Sequence, residues 1–109
     1  MARALYYLGV AYYYQGSYDK AIVEFTKAEN ISSVCDSLYL GLTKLMQCNA
    51  YNSTYNDVQE LKYAKEALDI FDDISADYYS QVAKLSVSRA YYNNNEINKS
   101  NEIDRKSVV

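Results

Sequence analysis

The chain has 109 residues, enough for one small domain, and a formal net charge of −3. It has 14 Tyr, 3 Gly, no Pro and no His. An acidic balance argues against direct nucleic-acid or anionic-membrane binding, and the absence of His excludes His-dependent triads and His-ligated zinc. So few turn residues favour an all-helical chain over a sandwich or barrel.

The first helix is predicted from about Ala2 to Gln15, with Leu5, Leu8 and Tyr12 on one face. Gly16 closes it and Ser17 is an N-cap for the next. That second helix runs from about Tyr18 to Asn30, with Ala21, Ile22, Phe25 and Ala28 as its apolar face. Ile31-Ser32-Ser33 makes a turn, and Ser33 with Asp36 gives a capping-box-like start.

A third helix follows from about Val34 to Cys48. Tyr39, Leu42 and Met46 repeat Leu5, Leu8 and Tyr12 at a displacement of 34, which sets Thr43 at the Gly9 position. The pair Leu40-Gly41 offers a second register; the first is preferred because it places three large apolar residues. Cys35 and Cys48 then share one helix, about 20 Å apart, too far for a disulfide. The segment Asn49 to Asn56 reads as an elongated loop, or as added helical turns. Asp57 and Glu60 restart helix as a capping box, over about Val58 to Phe71. Ala64, Leu68 and Phe71 match Ala21, Phe25 and Ala28 at a displacement of 43. A fifth helix is expected over about Ala76 to Asn93, capped by Ser75 or Asp73. Asn93-Asn94-Asn95 turns into a polar sixth segment from Glu96 to Lys106.

The residues Leu5, Leu8-Gly9, Tyr12, Ala21, Phe25 and Ala28 resemble a tetratricopeptide repeat, a helical hairpin of about 34 residues. Ser33 stands near the family's terminal Pro, Thr43 replaces the second Gly and Lys84 falls on a large apolar position of the third repeat. The resemblance implies an all-α fold, an α-solenoid of three antiparallel hairpins in a right-handed superhelical stack. The whole chain, 1–109, is then one domain. Its repeats span about 2–31, about 34–72 with a long loop over 49–57, and about 75–106 in degenerate form.

In such a stack the first helix of each hairpin lines a concave groove. The resemblance assigns to it Tyr6, Val10, Tyr13 and Tyr14, then Leu40, Lys44 and Gln47, then Leu85, Arg89 and Tyr92. Aromatic rims with Lys44 and Arg89 as two cations imply a protein or peptide ligand bearing a carboxylate. Tyr6 and Val10 stand where chaperone-binding members carry Lys and Asn, so that activity is not implied.

The expected function is a non-enzymatic interaction scaffold without cofactor or metal. The carboxylates Asp57, Glu60, Asp69, Asp72 and Asp73 read as caps or solvated charge. The alternative is a piece of a larger bacterial peptide-sensing regulator whose effector domain lies elsewhere. No run is apolar enough to span a membrane, and a cytoplasmic location is the default. Self-association is expected at the N-terminal end, where Tyr7, Ala4 and Ala11 face outward.

Overall fold

The computed structural model describes residues 2–32 and 37–106, with side chains over 3–31 and 37–94. Five helices follow one another: α1 (Ala2–Tyr14), α2 (Tyr18–Ser32), α3 (Ser37–Ser53), α4 (Asp57–Asp73) and α5 (Asp77–Lys106). No strand occurs among the described residues. Each helix packs on the next, with smaller contacts from α1 to α3 and from α3 to α5. The chain is therefore an all-α row of hairpins. Ser33, Cys35 and Asp36, including the expected capping box, lie outside the described residues.

Three turns share one geometry. Each has three residues, and the middle one is left-handed: Gly16 (φ 83°), Tyr55 (φ 60°) and Ser75 (φ 56°). The amide that follows reaches back to the helix it has left. Ser17 N donates to Tyr12 O at 2.9 Å, Asn56 N to Tyr51 O at 2.9 Å and Ala76 N to Phe71 O at 2.9 Å. These are Schellman closures, which satisfy carbonyls left open at a helix end. The same residues then accept the first bond of the next helix, from Ala21, Glu60 and Ser80. All three of those residues are buried, because the turn aims that position into the hairpin.

The hairpins close where a glycine meets a phenylalanine. A Cβ on Gly9 would stand 2.5 Å from Phe25 Cε1, and one on Gly41 would stand 2.6 Å from Phe71 Cε1. Ala21 and Phe25, like Ala67 and Phe71, are wholly buried. This corrects the register: Gly41 is the counterpart of Gly9, at a displacement of 32, and Phe71 is the counterpart of Phe25. The large apolar trio Tyr39, Leu42 and Met46 misled because close packing is set by the residue that leaves room, not by the residues that fill it.

The elongated loop is also corrected. α3 continues to Ser53, and the turn is Thr54-Tyr55-Asn56. Seven residues separate Gly9 from Gly16, but fourteen separate Gly41 from Tyr55. Nine separate Gly16 from Phe25, but sixteen separate Tyr55 from Phe71. Both helices of the second hairpin have thus gained seven residues, two turns or about 10 Å each. Seven residues return the face to within about 20° of its starting direction, so the tips still meet. Buried Ala50 and the stacked rings of Tyr51 and Tyr63, 5.5 Å apart, fasten the lengthened tip.

The expected turn at Asn93-Asn95 does not form, and α5 runs on as helix to Lys106. Asn94 Nδ2 donates to Asp57 O at 3.0 Å and to Ala90 O at 2.9 Å. The amides that suggested a turn are occupied in docking α5 onto α4. Neither Ser75 nor Asp73 caps α5: Ser75 is the left-handed turn residue. The core near this turn holds Leu45, Ala67, Phe71 and Ala83, flanked by Leu42, Leu68, Tyr79 and Val82.

Candidate functional site

α1, α3 and α5 are the helices expected to line the groove. The face of each that lies opposite its antiparallel neighbour follows from the helical period of about 100° per residue. On α1, Gly9 points to α2, which puts Tyr7 and Tyr14 on the far face. On α3, Gly41 points to α4, which puts Tyr39 and Met46 on the far face. On α5, Ala83 packs with Phe71, which puts Tyr78, Leu85 and Tyr92 opposite. Exposure agrees at the outer two helices: Tyr14 is 77% exposed, Tyr78 73%, Leu85 72% and Tyr92 65%. Tyr7 and Tyr39 are joined, hydroxyl to hydroxyl, at 3.0 Å, and the Arg3 guanidinium stands 4.7 Å over the Tyr39 ring. Seven-residue rows of aromatic and apolar side chains therefore run along three neighbouring helices.

Of the expected groove residues, Tyr14, Leu85 and Tyr92 stand on this face. Val10 and Tyr13 are half-buried beside it, with the Tyr13 ring edge-on to Tyr14 and Tyr18. The others are turned between helices. Tyr6 lies among Tyr7, Phe25 and Tyr39, and burial, reinforced by Tyr7, Tyr79, Tyr39 and Tyr14, pushes its phenol up to about 12. Leu40 is half-buried at the position equivalent to Leu8, and Lys44 is equivalent to Tyr12.

The two cations are used internally. Lys44 is paired with Glu29 of α2 and, at 2.7 Å, with Glu66 of α4, and stands 5.1 Å over the Tyr63 ring. Gln47, fully buried, donates from Nε2 to Glu29 Oε2 at 2.9 Å. Burial raises the Glu29 carboxyl, but hydrogen bonds from Gln47 and Lys44 and the charge of Lys44 outweigh it, so it sits below the usual range. Burial likewise lowers Lys44, and its bonds to Glu29 and Glu66 more than reverse this. Arg89 donates from Nε to Glu60 Oε2 at 2.9 Å and from a terminal nitrogen to Asn49 Oδ1 at 3.1 Å. Asn93 adds a bond to Glu60 Oε1 at 3.2 Å and one to Asn52 Oδ1 at 3.3 Å. Both cations thus hold carboxylates of the chain itself, with the Lys44 side chain 12% exposed and that of Arg89 39%. The cause is the register: moved by two residues, Lys44 and Gln47 rotate by about 200°, from the groove into the helix interface.

Glu60 corrects the reading of the acidic residues. It is 0% exposed, and it does not cap α4. Asn56 does so, its side chain accepting from Gln59 N at 3.3 Å. The Glu60 carboxylate accepts from Arg89 and Asn93 rather than facing a second acid. Asp72 accepts from Ser80 Oγ at 2.7 Å. Among the described residues no three His, Cys, Asp or Glu are grouped to hold a metal. Burial pushes the Cys48 thiol up to about 11, which keeps it protonated and unreactive. An open depression of about 310 Å³ at the hairpin tips is lined by Gly16, Ser17, Tyr18, Asp19, Lys20 and Thr54 and holds no paired acids.

Side-by-side helical hairpins with a glycine-phenylalanine closure define an α-helical repeat protein. The family model described as the tetratricopeptide repeat matches residues 2–32, and the α1–α2 hairpin is a tetratricopeptide repeat. Such repeats mediate protein–protein interaction and are non-enzymatic scaffolds. No curated protein and no solved structure matches the chain. No helix among the described residues is long and apolar enough to cross a membrane.

Proposed function

We propose that the chain holds a protein segment or peptide on the face formed by α1, α3 and α5. One observation carries this reading: the rows Tyr7 and Tyr14, Tyr39 and Met46, and Tyr78, Leu85 and Tyr92. Tyr exposes a large rigid area with a polar tip, which suits it to interfaces. Because Lys44 and Arg89 are engaged by buried and half-buried carboxylates, the ligand is one with apolar and aromatic anchors, not one selected by a carboxylate. The interaction is structural rather than catalytic, and a cytoplasmic setting fits it.

The test is a random-peptide display screen on the wild-type chain, repeated with Tyr14→Glu and Leu85→Glu combined. Both residues are largely exposed, so helicity by circular dichroism is expected to be unchanged. Ligands recovered by the wild type should bind the double variant at least tenfold more weakly. Equal binding would move the working surface elsewhere. One such place is the N-terminal edge, where Ala4, Leu8 and Ala11 are exposed. Self-association there would respond to Leu8→Glu. Tyr7, 57% exposed, lies on the same side of α1 as Ala4 and Ala11, and its hydroxyl also meets that of Tyr39.

A further inference from the structure

α5 is joined to the rest of the fold through a single strained turn. It leaves α4 through Ile74-Ser75-Ala76, whose middle residue is a left-handed serine. L-residues other than glycine resist that conformation, and the equivalent turn of the first hairpin uses Gly16. Asp73 and Ser75 favour a helix start, but from Asp57 to Lys106 there is neither Gly nor Pro to enforce a break. The docking of α5 therefore holds the left-handed conformation that Ser75 by itself resists.

That docking is symmetric about Ser75. Phe71 and Tyr79, four residues to either side, stack at 5.2 Å. Ala67 and Ala83, eight to either side, share the core. Glu60 and Arg89, fifteen before and fourteen after, form the ion pair that satisfies the buried carboxylate. Two straight antiparallel helices crossing at Ser75 would bring the same pairs together. The seat on α3 and α4 is complete without a covalent link to the helix that fills it. Opening at the left-handed Tyr55 turn would instead have to release α4 and α5 together from α3, a larger exchange that also splits the Gly41–Phe71 contact.

We propose that this chain forms a reciprocal dimer in which the α4–α5 turn straightens, Asp57–Lys106 becomes one helix, and α5 of each copy fills the seat on α3 and α4 of the other. A short strained hinge beside an unchanged interface is the circumstance that favours exchange of an identical element. The dimer keeps every α5 contact, including Arg89 to Glu60, now between copies. Two left-handed serines are released per dimer, while the association itself must still overcome lost translational freedom. Protein concentration and hinge chemistry therefore decide the balance.

The experiment refolds the full chain at high and at low concentration and measures mass by light scattering. Wild type yields dimer at high concentration. Ser75→Gly, which relaxes the closed turn, lowers the dimerisation constant about tenfold, since two hinges change per dimer. Ser75→Ala, which keeps the strain and favours helix, raises it. A second arm mixes two charge-reversed chains, Glu60→Arg and Arg89→Glu. Each alone sets like charges together in its own seat, and only exchange pairs opposite charges in both seats. The mixture should give a helical dimer that neither chain forms alone. A wild type that stays monomeric after refolding at high concentration overturns the proposal, as does a dimer indifferent to both Ser75 substitutions. If the reversed chains fail to fold even when mixed, the Ser75 pair decides by that same criterion.

Discussion

Gly41→Ala tests the closure of the second hairpin. Gly41 lies inside α3, where replacing glycine by alanine normally stabilises a helix by about 1 kcal/mol. Here the new Cβ would stand 2.6 Å from Cε1, 2.9 Å from Cζ and 3.0 Å from Cδ1 of Phe71. Carbon atoms rest at about 3.5–4.0 Å, so the ring would have to retreat by roughly 1 Å. Phe71 is fully buried, and it is stacked on Tyr79, which leaves little room to retreat. Overpacking of this kind costs about 1–3 kcal/mol, and a rigid ring met by three contacts belongs at the upper end. The net expectation is a loss of about 2 kcal/mol. In urea, with a slope of about 1–2 kcal/mol per molar, the midpoint should fall by roughly 1–2 M. Phe71→Leu shortens the obstructing side chain, so the double variant should be more stable than the two single losses add up to. The cycle assigns that surplus to the contact itself. If Gly41→Ala is neutral or stabilising, helix propensity has won, the close approach is absent and the displacement of 32 is wrong.

Phe25→Ala removes the fully buried ring that closes the first hairpin and should cost about 3–5 kcal/mol by chemical denaturation, a large share of a small domain's stability. Lys44→Glu would gather three carboxylates between α2, α3 and α4. It should cost at least about 2 kcal/mol, read as a lower urea midpoint, whereas a free groove cation would be replaced at little expense. The depressed Glu29 contributes stability that is present above the ordinary carboxylate range and lost as pH falls through its folded value, and Lys44→Met should flatten that acid limb of the midpoint against pH. On the alkaline side the raised Cys48 and Tyr6 contribute stability that is full below their ordinary values. It is lost as pH rises toward about 11 and about 12 respectively, so Tyr6→Phe should shift alkaline unfolding upward in an ellipticity titration.

The first hairpin was legible in the sequence almost residue by residue. Gly9, Gly16, Ala21 and Phe25 each act locally, through a close approach, a left-handed turn or a helical face, and such constraints are written at fixed spacing, whereas Leu8, read as part of the packed face, is exposed. The number and type of the first four helices followed in the same way. The second hairpin was less legible, because seven residues added to each helix change no local preference. Only the meeting of Gly41 with Phe71 across two helices shows where the register lies. The charged residues depended on tertiary structure most of all. Glu60 reads as a helix cap, and Lys44 and Arg89 read as surface cations, since their spacing suits either role. Packing decides between the two. Once the turn carries Glu60 into the interface, a buried carboxylate requires a cation, and the fifth helix supplies Arg89 from 29 residues away. Helical period follows from neighbours along the chain, but the partner of a buried charge is chosen by the fold.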